Sequence, residues 1–411
     1  AQHIGSYLFR KARSFQRALN RQNGLRLESL PSCPHRHVAS LNQLEQALKD
    51  RIHAIASEYG MKLEEKSQSS FLFNDLIQSL SKIGKVVILI DEYDNLMSDN
   101  IFNESVGEIR LILGRFFEII KSQGDNIRFA FITGVTKYAK VSVFSKMNNL
   151  NDISMDSRYA AMFGYTEEEL EANFSDYIEE GIRASSMKLV DYLDKVKAQY
   201  DGYCFNLKAE TVYNPVSAGQ FFLYGGVDFE DYWAETGNTK LLMDIAKKVD
   251  FNMATDLSER MDASSLRTFD ILELASDHAD ASDLKALLFQ SGYLTLKCSD
   301  DNNISYFLDF PNGETRRAFS LSILRTYAPR IASPEGNSAL LLKYFENGQT
   351  ESAVSVLKSL YASISYQLKE TDHEKIHQIV FVSIMKALGA ELNAELATNK
   401  GRIDAVLKTH A

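Results

Sequence analysis

The fold is decided by Val86-Val87-Ile88-Leu89-Ile90-Asp91-Glu92, where five apolar residues run directly into two carboxylates. A short run of β-formers that is apolar on both faces is typical of a central strand in a parallel sheet. Helical periodicity covers 71–83, ends at Gly84, and returns over 104–122. The next apolar run, Phe129-Ala130-Phe131-Ile132, completes a strand-helix-strand unit. We therefore expect two parallel strands joined by a right-handed connection.

The chain has 411 residues, which is enough for two or three domains. Changes of pattern predict an α/β core over 1–165 and a mainly helical region with short strands over 166–335. Helices followed by the start of a further α/β domain are predicted over 336–411. Near the end, alternation over 392–396 and a turn at Asn399-Lys400-Gly401 predict a β-hairpin.

The overall charge narrows the class of partner. Lys and Arg number 45 against 55 Asp and Glu, which gives a formal charge of −10 and disfavours a uniformly basic nucleic-acid binder. The net charge is still compatible with a local basic groove that binds nucleic acid. No apolar stretch approaches the ~18 residues of a membrane span. The start shows no signal-peptide pattern, and Cys33, Cys204 and Cys298 lie too far apart for a metal site or a disulfide framework. We expect a cytoplasmic protein without membrane contact.

The two carboxylates predict a nucleotide site, because open α/β sheets bind ligands outside the carboxyl ends of their strands. There Asp91 could hold the Mg²⁺ of a nucleotide, mostly through water, and Glu92 could polarise the attacking water. The alternative is an acidic turn in solvent, which the preceding β-formers disfavour. Thr133 follows the second apolar run and could orient the attacking water, although an ordinary strand-end threonine fits equally well.

The phosphate-binding loop of such a site, G-x-x-x-x-G-K-[ST], has no match in the sequence. Gly84-Lys85 precedes a strand instead of a helix, and 1–40 contains no succession of strand, Gly-rich loop and helix. Either the chain lacks its true N-terminus, or it does not bind the phosphates of a nucleotide through the usual loop. Whether the chain is an enzyme is left open by this pattern.

Several motifs in order over roughly 70–411 resemble the bacterial AAA-ATPase-like family. They are Val86-Val87-Ile88-Leu89-Ile90-Asp91-Glu92-Tyr93-Asp94, Phe131-Ile132-Thr133-Gly134-Val135-Thr136-Lys137, Val141-Ser142-Val143-Phe144-Ser145, Asn148-Asn149-Leu150-Asn151-Asp152-Ile153, Tyr200-Asp201-Gly202-Tyr203, Tyr213-Asn214-Pro215, Tyr232-Trp233-Ala234-Glu235-Thr236-Gly237 and Gln290-Ser291-Gly292-Tyr293-Leu294.

The resemblance implies an α/β fold, with a P-loop NTPase-like parallel sheet followed by a mainly helical region. It implies ATP and Mg²⁺ as cofactors, Asp91 and Lys137 as nucleotide-binding residues, and Glu92 and Thr133 as catalytic ones. An oligomer is compatible with it, and three arginines are equally good candidates for an arginine finger: Arg110, Arg115 and Arg128. The alternative is a scaffold or interaction module that no longer hydrolyses ATP.

In that family a PD-(D/E)xK nuclease-like domain, with the restriction-endonuclease-like α/β fold, commonly ends the chain. Gly401-Arg402-Ile403-Asp404 resembles its first acidic strand, which implies Asp404 as a metal ligand and nucleic acid as a partner of the C-terminal region. Glu374 or Glu395 could add a carboxylate. The Glu-x-Lys strand that should follow is missing, so the family resemblance implies a chain truncated at both ends. We expect no nuclease activity from it.

Two weaker patterns have simpler interpretations. His373-Glu374-Lys375-Ile376-His377 matches the H-E-x-x-H of zinc proteases, but no third ligand follows on the helix, and a nuclease-domain helix is preferred. Cys33-Pro34-His35-Arg36-His37 is best interpreted as a surface loop. A group of aromatic residues is predicted to form core instead of a base-stacking platform: Tyr200, Tyr203, Tyr213, Phe221, Phe222 and Trp233.

Overall fold

A computed structural model describes residues 41–98, 100–136, 150–233, 239–249, 251–253, 255–268, 274, 278–300, 304–328, 334–362, 364, 373–389, 391–398 and 401–408. The chain divides into two compact units. One consists of Ala1–Asp152 with Arg267–Ala279, and the other of Ile153–Leu266 with Asp280–Ala411. The predicted boundaries at 165 and 335 stay predictions.

The first unit carries the predicted strand-helix-strand arrangement. Its described elements are α1 (Leu41–Glu58), α2 (Ser69–Ser81), β1 (Val86–Ile90), α3 (Asn95–Ser98), α4 (Val106–Ser122) and β2 (Ile127–Ile132). β1 and β2 are parallel, with Val87 opposite Phe129 and Ile90 opposite Ile132. A mixed α/β fold with a small parallel sheet is therefore confirmed.

Helices α2 and α4 form the core of the first unit together with β1. The apolar positions of α2 recur at helical spacing, and Leu72, Phe73 and Leu76 are fully buried. Phe73 stacks on Phe116 of α4, with 4.1 Å between ring centroids. Burying each such side chain stabilises the fold by roughly 1.5–3 kcal/mol. This core fixes the position of β1 and hence of the residues that follow it.

The second unit is mainly helical. Its described helices are α5 (Glu167–Ser185), α6 (Leu189–Tyr200), α7 (Pro215–Leu223), α8 (Thr239–Lys248), α9 (Ala263–Thr268, whose last two residues fall in the first unit), α10 (Ala281–Gln290), α11 (Gly313–Tyr327), α12 (Pro334–Glu346), α13 (Thr350–Ala362) and α14 (His373–Ala387). The acidic run Glu167-Glu168-Glu169 predicts the first turn of a helix begun at Thr166, and Thr166 and Glu169 do form a capping box at the start of α5. Most of the aromatic residues predicted as core are buried, and Trp233 is half-buried against Tyr293.

A small antiparallel sheet accompanies these helices, with strands β3 (Met261–Asp262), β4 (Thr295–Ser299) and β5 (Ser305–Asp309) in the order β3-β5-β4. The apolar run Tyr293-Leu294-Thr295-Leu296 predicts a strand, but β4 begins two residues into it, at Thr295. The reason is that Gly292 has a left-handed backbone, with φ +81°, and the backbone N–H groups of Tyr293 and Leu294 donate to the carbonyl of Leu288 at the end of α10.

The C-terminal β-hairpin is confirmed. Strands β6 (Glu391–Thr398) and β7 (Gly401–Lys408) are antiparallel. Asp404 lies on β7 between Ile403 and Ala405, which pair with Leu396 and Ala394. The side chains of both strands, like those of His373 and Glu374, lie outside the described residues, so the predicted metal roles there stay predictions. No helix in the described ranges is long and apolar enough to cross a membrane.

Candidate functional site

Parallel pairing of β1 and β2 brings the predicted site residues to one edge of the sheet. The hydroxyl of Thr133 donates a hydrogen bond to Oδ1 of Asp91. The backbone N–H of Glu92 donates to the same oxygen at 3.0 Å, and the N–H of Thr133 donates to the carbonyl of Ile90 at 2.8 Å. Asp91, Glu92 and Thr133 are thus neighbours, whereas Lys137 lies outside the described residues.

The carboxylate of Asp91 is suited to a metal that also binds phosphate. Asp91 is exposed, and its Oδ2 accepts no hydrogen bond from the described residues. Mg²⁺ usually takes one or two protein carboxylates and completes its shell with phosphate and water. No group of three or more His, Cys, Asp or Glu side chains able to hold a metal occurs within the described ranges. The donor set therefore fits a Mg²⁺–nucleotide better than a metal held by protein alone.

Glu92 has a strained backbone, with φ +50°, in the left-handed region that glycine prefers. A non-glycine residue there costs on the order of 1 kcal/mol or more. The next residue is held in place, because the N–H of Tyr93 donates to the carbonyl of Thr133 at 3.1 Å. The chain thus turns sharply after β1 and leaves the Glu92 side chain exposed to solvent. Such strain is typical of functional positions.

Asp94 is a buried carboxylate that the sequence analysis did not single out. Only 2% of its surface is exposed, and it accepts hydrogen bonds from the N–H of Val135 at 3.1 Å, the N–H of Thr136 at 2.5 Å and the hydroxyl of Thr136 at 2.7 Å. Burial raises the pKa of Asp94 above its usual value, against the opposing effect of these hydrogen bonds. The sequence signal for Asp94 was weak, because a carboxylate in a short acidic segment after a strand suits solvent equally well.

Tyr93 and Gly134 complete the connection between the two strand ends. The Tyr93 hydroxyl donates to the carbonyl of Thr136 at 2.6 Å. A Cβ on Gly134 would overlap Oδ1 of Asp94 and would lie 2.6 Å from the Tyr93 ring. Only glycine fits there. Residues 91–94 and 133–136 are therefore locked together, and we call this arrangement the strand-end clamp.

A second buried carboxylate lies in the other unit. Glu314 in the first turn of α11 is fully buried and accepts hydrogen bonds from the hydroxyl of Ser217 and the N–H of Trp233, both at 2.6 Å. Burial raises its pKa to about 7. Beside it, Arg317 binds Asp231 through two hydrogen bonds of 2.6 and 2.8 Å. These contacts join segments that are far apart in sequence and hold the start of α11 against α7 and against the backbone of Trp233.

Sequence comparison matches part of the first unit, the part that contains the strand-end clamp, to a known family. Residues 32–144 match a family described as Predicted AAA-ATPase. That range contains β1, β2 and the strand-end clamp. The match supports an ATPase-like function in general terms, and it ends well before the C-terminal region.

A longer relative covers most of the chain. An uncharacterized protein in the vnfD 5′ region of Azotobacter chroococcum mcd 1 is 32% identical over 342 residues, which are 81% of this chain and 62% of the relative. The chain thus spans about three fifths of that relative's length. No solved structure matches this chain. By comparison, then, the first unit is similar to predicted AAA-ATPases, and the chain as a whole is similar to a longer protein that is itself uncharacterized.

Proposed function

We propose that the chain binds Mg²⁺–ATP at the edge where β1 and β2 end, and that it hydrolyses the nucleotide there. The observation that carries the proposal is the hydrogen bond from the Thr133 hydroxyl to the Asp91 carboxylate, across the carboxyl ends of two parallel strands. Ligands of open α/β sheets bind at this edge. The match of residues 32–144 to predicted AAA-ATPases supports the same class of ligand.

Each residue has a distinct proposed role. Asp91 holds the Mg²⁺, which when bound neutralises charge on the phosphates. Glu92, exposed beside it, orients and polarises the attacking water. Thr133 keeps the Asp91 carboxylate in place by donating a hydrogen bond to it, and the hydroxyl oxygen then accepts a hydrogen bond from the attacking water and orients it. Lys137 adds a positive charge to nucleotide binding.

The first experiment is equilibrium binding of a fluorescent ATP analogue in the presence of Mg²⁺. We expect micromolar binding by the wild type and clear weakening in Asp91→Ala. Asp125→Ala is the matched control, because Asp125 is an exposed aspartate just before β2, at the opposite end of that strand. Glu92→Gln should keep binding and lose hydrolysis. Equal binding by wild type and Asp91→Ala would contradict the proposed metal role.

A second candidate function is a scaffold that does not hydrolyse ATP. The observation in its favour is that the sequence contains no G-x-x-x-x-G-K-[ST] loop to hold the phosphates. The same titration separates the two proposals, since a scaffold of this kind would show no binding up to millimolar nucleotide.

The C-terminal resemblance gives a separate proposal, in which Asp404 binds a divalent metal in a nuclease-like domain. It rests on Gly401-Arg402-Ile403-Asp404 alone. One acidic strand does not make a two-sided metal clamp, so we expect no metal-dependent nicking of plasmid DNA by this polypeptide. Nicking that disappears in Asp404→Ala would overturn that expectation.

A further inference from the structure

The sequence contains three Asn-Gly pairs, which are Asn23-Gly24, Asn312-Gly313 and Asn347-Gly348. Such pairs are chemically labile, because glycine has no side chain to shield its backbone nitrogen from the amide carbon of the preceding asparagine. Asparagine is for this reason among the residues that heat-stable proteins use sparingly. Asn23-Gly24 lies outside the described residues. The structure holds the other two pairs in very different ways.

Asn347-Gly348 forms the turn between α12 and α13, and both residues are exposed. Gly348 has a left-handed backbone, with φ +67°, and a Cβ added there would meet no atom within 4 Å. The side-chain amide of Asn347 donates to the carbonyl of Lys343 at 2.7 Å, and the N–H of Gly348 donates to the carbonyl of Phe345 at 3.1 Å. Exposed hydrogen bonds at a helix end open without unfolding of the domain. The Gly348 nitrogen therefore reaches the Asn347 amide within the folded chain.

Asn312-Gly313 is protected by contrast, because it forms the buried start of α11. Asn312 is only 6% exposed, and its Nδ2 donates to the carbonyl of Asp201 at 2.8 Å. Its Oδ1 accepts hydrogen bonds from the N–H and the hydroxyl of Thr315, both at 3.0 Å. A Cβ on Gly313 would lie 2.8 Å from the side chain of Gln199, so the backbone there is closely packed. Reaction at Asn312 requires all three side-chain hydrogen bonds to open first.

We propose that Asn347 is a site of spontaneous covalent modification, at which the side-chain amide becomes a carboxylate through a cyclic succinimide. The backbone nitrogen of Gly348 attacks Cγ of Asn347. The new C–N bond forms, the bond from Cγ to Nδ2 breaks, and ammonia leaves with the proton that the Gly348 nitrogen gives up. Water then opens the ring at either carbonyl and yields aspartate or isoaspartate. The reaction needs no oxidant and no co-substrate besides water, and it does not rest on the nucleotide proposed for the first unit.

Both products loosen the turn between α12 and α13. A carboxylate adds negative charge at the C-terminal end of α12, where the helix dipole is already negative. It also removes the donor that the carbonyl of Lys343 accepts. Isoaspartate inserts one more atom into the main chain, which displaces the N–H of Gln349 from the carbonyl of Tyr344, at present 2.8 Å away. That hydrogen bond closes the end of the helix. The turn therefore weakens as the chain ages.

The test is to store the full chain at mildly alkaline pH and to follow conversion at both asparagines by peptide mass spectrometry. We expect Asn347 to convert at least about tenfold faster than Asn312, because the hydrogen bonds of Asn312 must open first. Asn347→Gln is the matched variant. It keeps a neutral amide, but its longer side chain would have to close a six-membered ring, so that peptide should stay unmodified while Asn312 reacts as before.

Two further measurements complete the test. In denaturing urea the two asparagines should convert at similar rates, which shows that the fold sets the difference between them. Hydrogen exchange measures the consequence, since the stored wild type should lose amide protection over 344–350 and stored Asn347→Gln should keep it. Absence of conversion at Asn347, or equal conversion at both asparagines in the folded chain, would overturn the site. Conversion with unchanged amide protection would overturn the proposed loosening of the turn.

Discussion

The carboxylate of Asp94 accepts hydrogen bonds from both the backbone N–H and the side-chain hydroxyl of Thr136, which lies 42 residues further along the chain. The two strand ends are therefore joined by polar groups beyond the sheet itself. Because Asp91 and Thr133 sit between these anchors and the strands, their relative position is set by the strand-end clamp. Asp94 is a positioning residue for the candidate site.

Removing the Asp94 carboxylate should destabilise the first unit. Asp94→Ala leaves the N–H groups of Val135 and Thr136 and one hydroxyl without their acceptor, so we expect a loss of about 2–4 kcal/mol in the free energy of unfolding. Urea unfolding measures it. Asp94→Asn keeps one acceptor oxygen and should cost less. A loss under about 1 kcal/mol in the alanine variant would show that the clamp is dispensable.

Adding one methyl group at Gly134 should have a similar effect for a steric reason. The new Cβ in Gly134→Ala would overlap the Asp94 carboxylate and the Tyr93 ring, so we expect both lower stability and weaker nucleotide binding.

Gly114→Ala is the matched control for that change. Gly114 lies within α4, and no heavy atom outside its own helix turn lies within 4 Å of the new Cβ. The control should gain roughly 0.5–1 kcal/mol, because alanine favours the helix. A Gly134→Ala variant as stable as the wild type would contradict the described packing.

Relieving the backbone strain at Glu92 should separate stability from activity. Glu92→Gly accommodates φ +50° without a side-chain penalty, so we expect a gain of up to about 1 kcal/mol in stability together with loss of ATP hydrolysis. Glu92→Gln keeps the strain and should lose hydrolysis without gaining stability. Thermal unfolding and phosphate release measure the two effects. Equal stability of both variants would argue against strain at this position.

Glu314 should make the stability of the second unit depend on pH. Its pKa is raised from 4.5 to about 7 in the folded chain, so the folded state holds the proton more tightly than the unfolded state does. The resulting stability is complete below pH 4.5 and is lost as pH rises through about 7. We expect a decline of about 2–3 kcal/mol from this group over that range.

Comparison with Glu314→Gln isolates this contribution, because glutamine does not titrate. The wild type should lose more stability than the variant between pH 5 and about 8, measured by urea unfolding at each pH. Glu168→Gln, at an exposed glutamate of α5, should follow the wild-type curve. Parallel curves for the wild type and Glu314→Gln would show that Glu314 ionises normally.

Local patterns were sufficient to predict the elements that position the site. The apolar run ending at Ile90 predicted β1, and the strand-helix-strand pattern predicted its parallel partner, whose pairing brings Thr133 next to Asp91. The partners of Asp94 could not be predicted, because a carboxylate after a strand is compatible equally with solvent and with a buried clamp. The burial of Glu314 could not be predicted either, since an acidic residue in a first helical turn usually faces water. The roles of Lys137 and Asp404 stay predictions.

The close approach of Gly202 to the carbonyl of Pro311 has a consequence for how the chain is made. The carbonyl of the preceding Asp201 accepts a hydrogen bond from the side-chain amide of Asn312, 111 residues later. The hydroxyl of Ser217 donates to Glu314, which follows it by 97 residues. During synthesis the second unit therefore cannot consolidate until its segment near 312 has left the ribosome. Until then its aromatic side chains lack their enclosing helix, and a nascent chain stalled before that point is the species most exposed to aggregation and to chaperones.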